Sequence, residues 1–255
     1  MKHDAFLSGA EIARILAGFG DEHVVVVGGQ AAFIWSHHYA LDPEGLIVSR
    51  DLDFVHNGRA AERLAASFSA PPPVVPTADD ATPNASVVTI ELGGRAVTID
   101  FLTGIAGVET GSLMRNAVRL AATLAVCTTV EVTVMHPLHL LASRLANINQ
   151  LRRHDERTVD QAKVSIDVLR CFVGEMVELG LPTEAMWALR ELEFVIRDRH
   201  AGQASHRIFG DRLDILPVLA SFLDDAAFDP RWREGSLRPA YRRSLARLER
   251  KAGNR

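Results

Sequence analysis

The chain has 255 residues, 47% of them hydrophobic and 24% charged, with a mean hydropathy of +0.06. That is the composition of a folded chain with room for one large domain or two smaller ones, neither disordered nor membrane-spanning. The formal net charge of −4 argues against wide, unspecific binding to nucleic acid.

Taken in chain order, residues 5–19 (AFLSGAEIARILAGF) have helical spacing. Ser8 is placed to cap that helix, and Glu11 three residues on completes a capping-box pattern. His23 to Val27 is a short β-branched run that predicts a buried strand, stopped by Gly28 and Gly29. Residues 30–39 read as a helix and 42–45 (DPEG) as a loop. Asp51 to Val55 alternates like a strand, 59–68 is a helix, and the proline-rich stretch 70–84 (APPPVVPTADDATPN) is a connector without regular structure. Two alternating runs, 87–92 and 97–102, flank Gly93-Gly94 and predict a β-hairpin. Residues 131–134 supply one more strand.

After His136-Pro137 the apolar residues recur at three and four, and the remainder of the chain stays helical in pattern. Mixed character in the first half and helices in the second predict an α/β or α+β core over 1–135 and a helical domain over 136–255. The segment 231–255 carries nine Lys or Arg against Glu234 and Glu249, with Trp232 and Tyr241 among them. Such a segment suits nucleic acid, or is the solvated side of a helix whose Leu245 and Leu248 pack inward. Cys127 and Cys171 are isolated, and the expectation is two buried thiols in a reducing compartment. His136 and His139 have no acidic or cysteine partner nearby in sequence, so a histidine metal site is not expected. The N-terminus lacks the unbroken apolar core of a signal peptide and no stretch is long enough for a bilayer span, so a cytoplasmic location is expected.

Three carboxylates stand out. Asp51 and Asp53 are two apart on a predicted strand and leave the same face, while Leu52 and Phe54 point into a core. Asp100 lies between Ile99 and Phe101 in another strand, where an aspartate is costly without a counter-charge. Converging, the three would repel one another unless a divalent cation held them ionised, and oxygen-only ligands fit Mg²⁺ or Mn²⁺. Alternatively, Asp51 and Asp53 sit in solvent at a strand end and Asp100 pairs with an arginine.

A strand, Gly-Gly, a helix, then Ser49-Arg50-Asp51-Leu52-Asp53-Phe54, then an aspartate in a later strand resembles the nucleotidyltransferase superfamily related to DNA polymerase β. In particular it is similar to the AbiEii-like bacterial enzymes of toxin–antitoxin and phage-abortive systems. The resemblance implies a polymerase-β-like mixed sheet with flanking helices. It implies that Gly28, Gly29 and Ser49 help hold the triphosphate of an incoming NTP. It further implies that Asp51 and Asp53 chelate two metal ions, and that Asp100 binds one of them and acts as base for the attacking hydroxyl. The stretch 132–147 is similar to the family's strand and following helix, with Arg144 where a lysine commonly contacts phosphate. Arg157 to Asp160 and Lys163 look like its next charged segment. The match covers roughly 20–170, with 36–48 as an apparent insertion.

On this resemblance the expected activity is transfer of an NMP from an NTP to a hydroxyl of tRNA or other RNA, a protein or a small molecule, with an antitoxin as a further partner. The alternative is a catalytically inactive member of the fold acting as a binding or regulatory protein. A metal-dependent phosphohydrolase is disfavoured, because the His/Asp clusters of such enzymes are missing from the sequence.

Overall fold

The computed structural model describes residues 7–41, 52–56, 59–77, 79–80, 82–125 and 128–252. The loop expected over 42–45, and Ser49, Asp51 and Cys127, lie outside them. The chain divides into two compact units, 1–136 and 137–255.

The first unit is α/β, built on one six-stranded mixed sheet. Helix α1 (Gly9–Gly18) leads into β1 (Val24–Val27), α2 (Gly28–His38), β2 (Leu52–His56) and α3 (Ala60–Ser67). The hairpin strands β3 (Asn84–Leu92) and β4 (Arg95–Leu102), α4 (Thr110–Arg115), β5 (Val118–Ala125) and β6 (Thr128–Val134) complete it. The strand order is β3-β4-β2-β1-β6-β5. β1 runs antiparallel to β2 and parallel to β6, and β2 runs parallel to β4.

Local chemistry explains the elements. Ser8 caps α1 by accepting from the Glu11 N–H at 3.3 Å, and the Glu11 carboxylate accepts from the Ser8 N–H at 2.7 Å, closing the expected capping box. The same carboxylate reaches Arg95 Nη2 at 2.9 Å, tying α1 to the start of β4. Gly93 and Gly94, at φ of 60° and 76°, form the two-residue turn that joins β3 to β4. Both central residues of such a primed turn need positive φ, which glycine adopts without a Cβ penalty.

The proline-rich connector is mostly irregular, as its composition predicts, but Val74 makes an isolated antiparallel bridge with Val87, N–H to O at 2.9 and 2.8 Å in the two directions. That pairing occupies part of the outer edge of β3. Phe19, just after α1, packs edge-on against Phe54 and Phe101, with ring centroids 4.7 and 6.0 Å away. These rings, with Leu52 and Ile99, form the core on one face of the sheet. Each fully buried side chain of this size contributes about 1.5–3 kcal/mol relative to exposure.

The second unit is helical: α5 (Pro137–Asn149), α6 (Glu156–Glu178), α7 (Pro182–Arg197), α8 (Gly202–Phe209), α9 (Leu216–Ala220), α10 (Pro230–Trp232) and α11 (Arg238–Ala252). A 3₁₀ turn follows α8, and one π turn over Arg233–Leu237 joins α10 to α11. Asp155 separates α5 from α6 by capping the latter, accepting from the Thr158 N–H at 2.9 Å. Leu141, Leu145, Leu169, Leu192, Leu219 and Phe228 belong to one buried cluster. Leu248 joins that core, and Trp232, Tyr241 and Leu245 pack against it. The inward side of the basic segment is therefore structural, as an amphipathic helix requires.

Candidate functional site

The site is built where three strands lie side by side. Asp53 is the register partner of Val27 in β1 on one side and of Asp100 in β4 on the other. β2 and β4 are parallel, so Asp53 and Asp100 leave the same face of neighbouring strands, about 4.8 Å apart in the pairing direction. The residues after them, Phe54 and Phe101, are also partners and point to the opposite face, into the Phe19 core. The aspartates are half-buried while the phenylalanines are fully buried.

Gly28 occupies the turn from β1 into α2 at φ 66°, in the left-handed region. A Cβ built there would come within 2.1 Å of Asp53 Oδ2. The glycine therefore has two physical reasons: a backbone conformation that L side chains rarely adopt, and a carboxylate lying against its Cα. Gly29 differs, since it falls inside the first turn of α2 and does not take positive φ. The helix expected from residue 30 in fact starts at Gly28.

Two side chains at the site were not legible in the sequence. Asn84, at the end of the proline-rich stretch, donates from Nδ2 to Asp100 Oδ1 at 2.9 Å. It reaches Asp100 only because β3 pairs with β4, and nothing local in the sequence signals it. Gln30, in the first turn of α2, is 1% exposed, and its amide nitrogen has no hydrogen-bond partner among the described residues.

Other candidates have different places. Trp35 is 1% exposed and donates its indole N–H to the Met135 carbonyl at 2.9 Å. It is a core residue. His37 is exposed, and its Nε2 lies 2.7 Å from the Thr123 carbonyl. Arg144 and Lys163 belong to the second unit, on α5 and α6. Arg144 is buried, and Lys163 forms an ion pair with Asp160 at 2.9 Å on its own helix. Cys171 is only half-buried, against the expectation of a buried thiol. Burial still pushes it above the ordinary thiol range, which leaves it without a nucleophile's thiolate character.

The donor set formed by Asp53 and Asp100 is oxygen-only and doubly negative, which suits a hard divalent cation. Among the described residues no group of three His, Cys, Asp or Glu side chains could hold a metal ion, and Asp51 lies outside them. No described helix is long and apolar enough to cross a membrane. No family model matches the chain, and neither any curated protein nor any solved structure matches it.

Proposed function

We propose that the first unit catalyses metal-dependent transfer of a nucleoside monophosphate from an NTP to a hydroxyl acceptor. The observation that supports this best is the Asp53–Asp100 pair, register partners on parallel strands, with the Asp53 carboxylate lying against the left-handed Gly28. Two carboxylates set opposite one another repel, and a divalent cation between them offsets that repulsion.

Asp53 and Asp100, with Asp51 beside them in sequence, would hold Mg²⁺ or Mn²⁺, and these ions would neutralise charge on the triphosphate and on the transferred phosphoryl group. The chain's own residues do the rest. The N–H groups of the first turn of α2 favour an anion, as a helix N-terminus does. The unsatisfied Gln30 amide adds a buried donor in that turn. Asn84 holds the Asp100 carboxylate in one orientation, and Asp100 would take the proton of the attacking hydroxyl. Ser49 remains a proposed nucleotide contact on the resemblance alone. The acceptor is RNA, a protein side chain or a small molecule, and an antitoxin partner belongs to the same reading.

The test is incubation with each α-labelled NTP, Mg²⁺ and either total RNA or cell extract. Label transfer that disappears in Asp53→Ala and Asp100→Ala is the expected result. Absence of transfer, together with absence of Mg²⁺-dependent NTP binding by calorimetry, overturns the reading.

A further inference from the structure

Beyond the residues that carry the nucleotidyltransferase resemblance, α7 and α11 of the second unit enclose a groove of about 670 Å³. Phe194 and Arg197 of α7 line it on one side, and Arg242, Arg243, Arg247 and Arg250 of α11 on the other. An adjoining cavity of about 220 Å³ shares Phe194 and Arg243 and adds Arg190 and Trp232. Of the two, only the smaller cavity is lined by a carboxylate, Glu193.

That carboxylate is already neutralised. Its side chain is 8% exposed and accepts from Arg197 Nη1 at 3.0 Å and from Arg243 Nε and Nη2 at 2.8 and 2.9 Å. Arg190, Arg242, Arg247 and Arg250 are exposed and enter no ion pair among the described residues. On α11 Arg243, Arg247 and Arg250 follow one another at four and three residues, about one helical turn of 5.4 Å each, with Arg242 beside them, so they form one charged stripe along the groove. A chain of net charge −4 concentrates uncompensated positive charge at this place.

Phe194 decides between polyanions. It is 59% exposed, an unusual position for a phenylalanine with arginines on both sides. An aromatic face beside guanidinium groups suits a nucleobase stacked flat with its phosphates on the arginines. A duplex hides its base faces, and an acidic peptide has none to offer. We infer that the α7–α11 groove binds single-stranded nucleic acid, with backbone phosphates on Arg242, Arg247 and Arg250 and a base against Phe194.

This binding is independent of nucleotidyl transfer in the first unit, and the two are tested separately. Fluorescence anisotropy of the full chain with a short labelled oligouridylate is the direct measurement, run across a salt series. Binding is expected, with log affinity falling linearly in log salt. The double variant Arg242→Glu/Arg247→Glu is expected to bind at least about tenfold more weakly, with the salt slope reduced by about 1.4 for two lost phosphate contacts. Both positions are exposed, and circular dichroism checks that the variant remains folded. Phe194→Ser is expected to weaken binding about fivefold or more at an unchanged salt slope, because stacking releases no counterions. Asp53→Asn is expected to bind the oligonucleotide as the parent chain does. Absence of binding at about 50 mM salt overturns the inference. So does unchanged affinity in the double variant, equal affinity for a duplex, or displacement of the oligonucleotide by oligoglutamate at comparable concentration.

Discussion

In the second unit the buried Glu193 carboxylate is held by two arginines, whereas in the first unit two half-buried carboxylates, Asp53 and Asp100, stand opposite one another on adjacent strands. The Arg243 hydrogen bonds, and then the Arg197 bond, hold Glu193 below the ordinary glutamate value of 4.5 against the opposing effect of burial. A carboxylate satisfied in this way belongs to the fold. A pair of like charges aligned in register repels, and on the proposed function a bound divalent cation offsets that repulsion. On that proposal, the contrast separates a carboxylate that stabilises the fold from a pair that would hold a metal ion.

The sharpest way to break that contrast is Asp53→Asn. Label transfer is expected to fall by about 10²- to 10³-fold, the scale of removing one preorganised charge-stabilising group, while the melting temperature stays level or rises. A drop in both would make Asp53 structural. Gly28→Ala introduces a Cβ against the Asp53 carboxylate at φ 66°. It should lower stability by about 1–3 kcal/mol and abolish Mg²⁺-dependent NTP binding in calorimetry.

Glu193→Ala should act in the opposite sense, leaving transfer unchanged while unfolding becomes easier by about 1–3 kcal/mol in urea, the range for charge-assisted hydrogen bonds. Because the folded-state value of Glu193 is depressed, its contribution is complete above the unfolded value of 4.5 and is lost as pH falls through the folded one. The parent chain should therefore lose more stability on acidification below about pH 4.5 than Glu193→Ala does. Gln30→Leu removes a buried donor that has no partner among the described residues. Stability should rise by up to about 1–3 kcal/mol while the KM for NTP increases. The smallest effect is expected of Ser8→Ala, about 1 kcal/mol of stability from the lost cap, with no change in transfer.

Local chemistry was readable in advance where it is self-contained. The Ser8–Glu11 box and the Gly93-Gly94 hairpin depend on neighbours in sequence, and both are present in the structure. β5 escaped notice because Arg119-Leu120-Ala121-Ala122 has few β-branched residues and gains its strand conformation by pairing with β6. The apolar spacing after His136-Pro137 marked the region as helical without placing the break between α5 and α6, which the Asp155 cap sets. At the site, the order of Gly28, Asp53 and Asp100 was visible, whereas their proximity was not. Register between parallel strands is set by non-local packing, so neither the Asp53–Asp100 pairing nor the Asn84 bond to Asp100 has a local signature.

β1 has one neighbour close in sequence and one far from it. β2 pairs along its whole length, but its other partner, β6, meets it through Val26 and Val134. Two further bonds fasten the same junction, Met135 N–H to the Val26 carbonyl at 3.0 Å and the Trp35 indole to the Met135 carbonyl, across a separation of 100 residues. Closing so long a loop is slow compared with forming a helix or hairpin. On the ribosome, the strand that leads into the proposed catalytic turn therefore waits with one flank open until the chain has emerged past Met135. If the turn at Gly28 needs both flanks of β1, nascent fragments ending before β6 should lack Mg²⁺-dependent NTP binding.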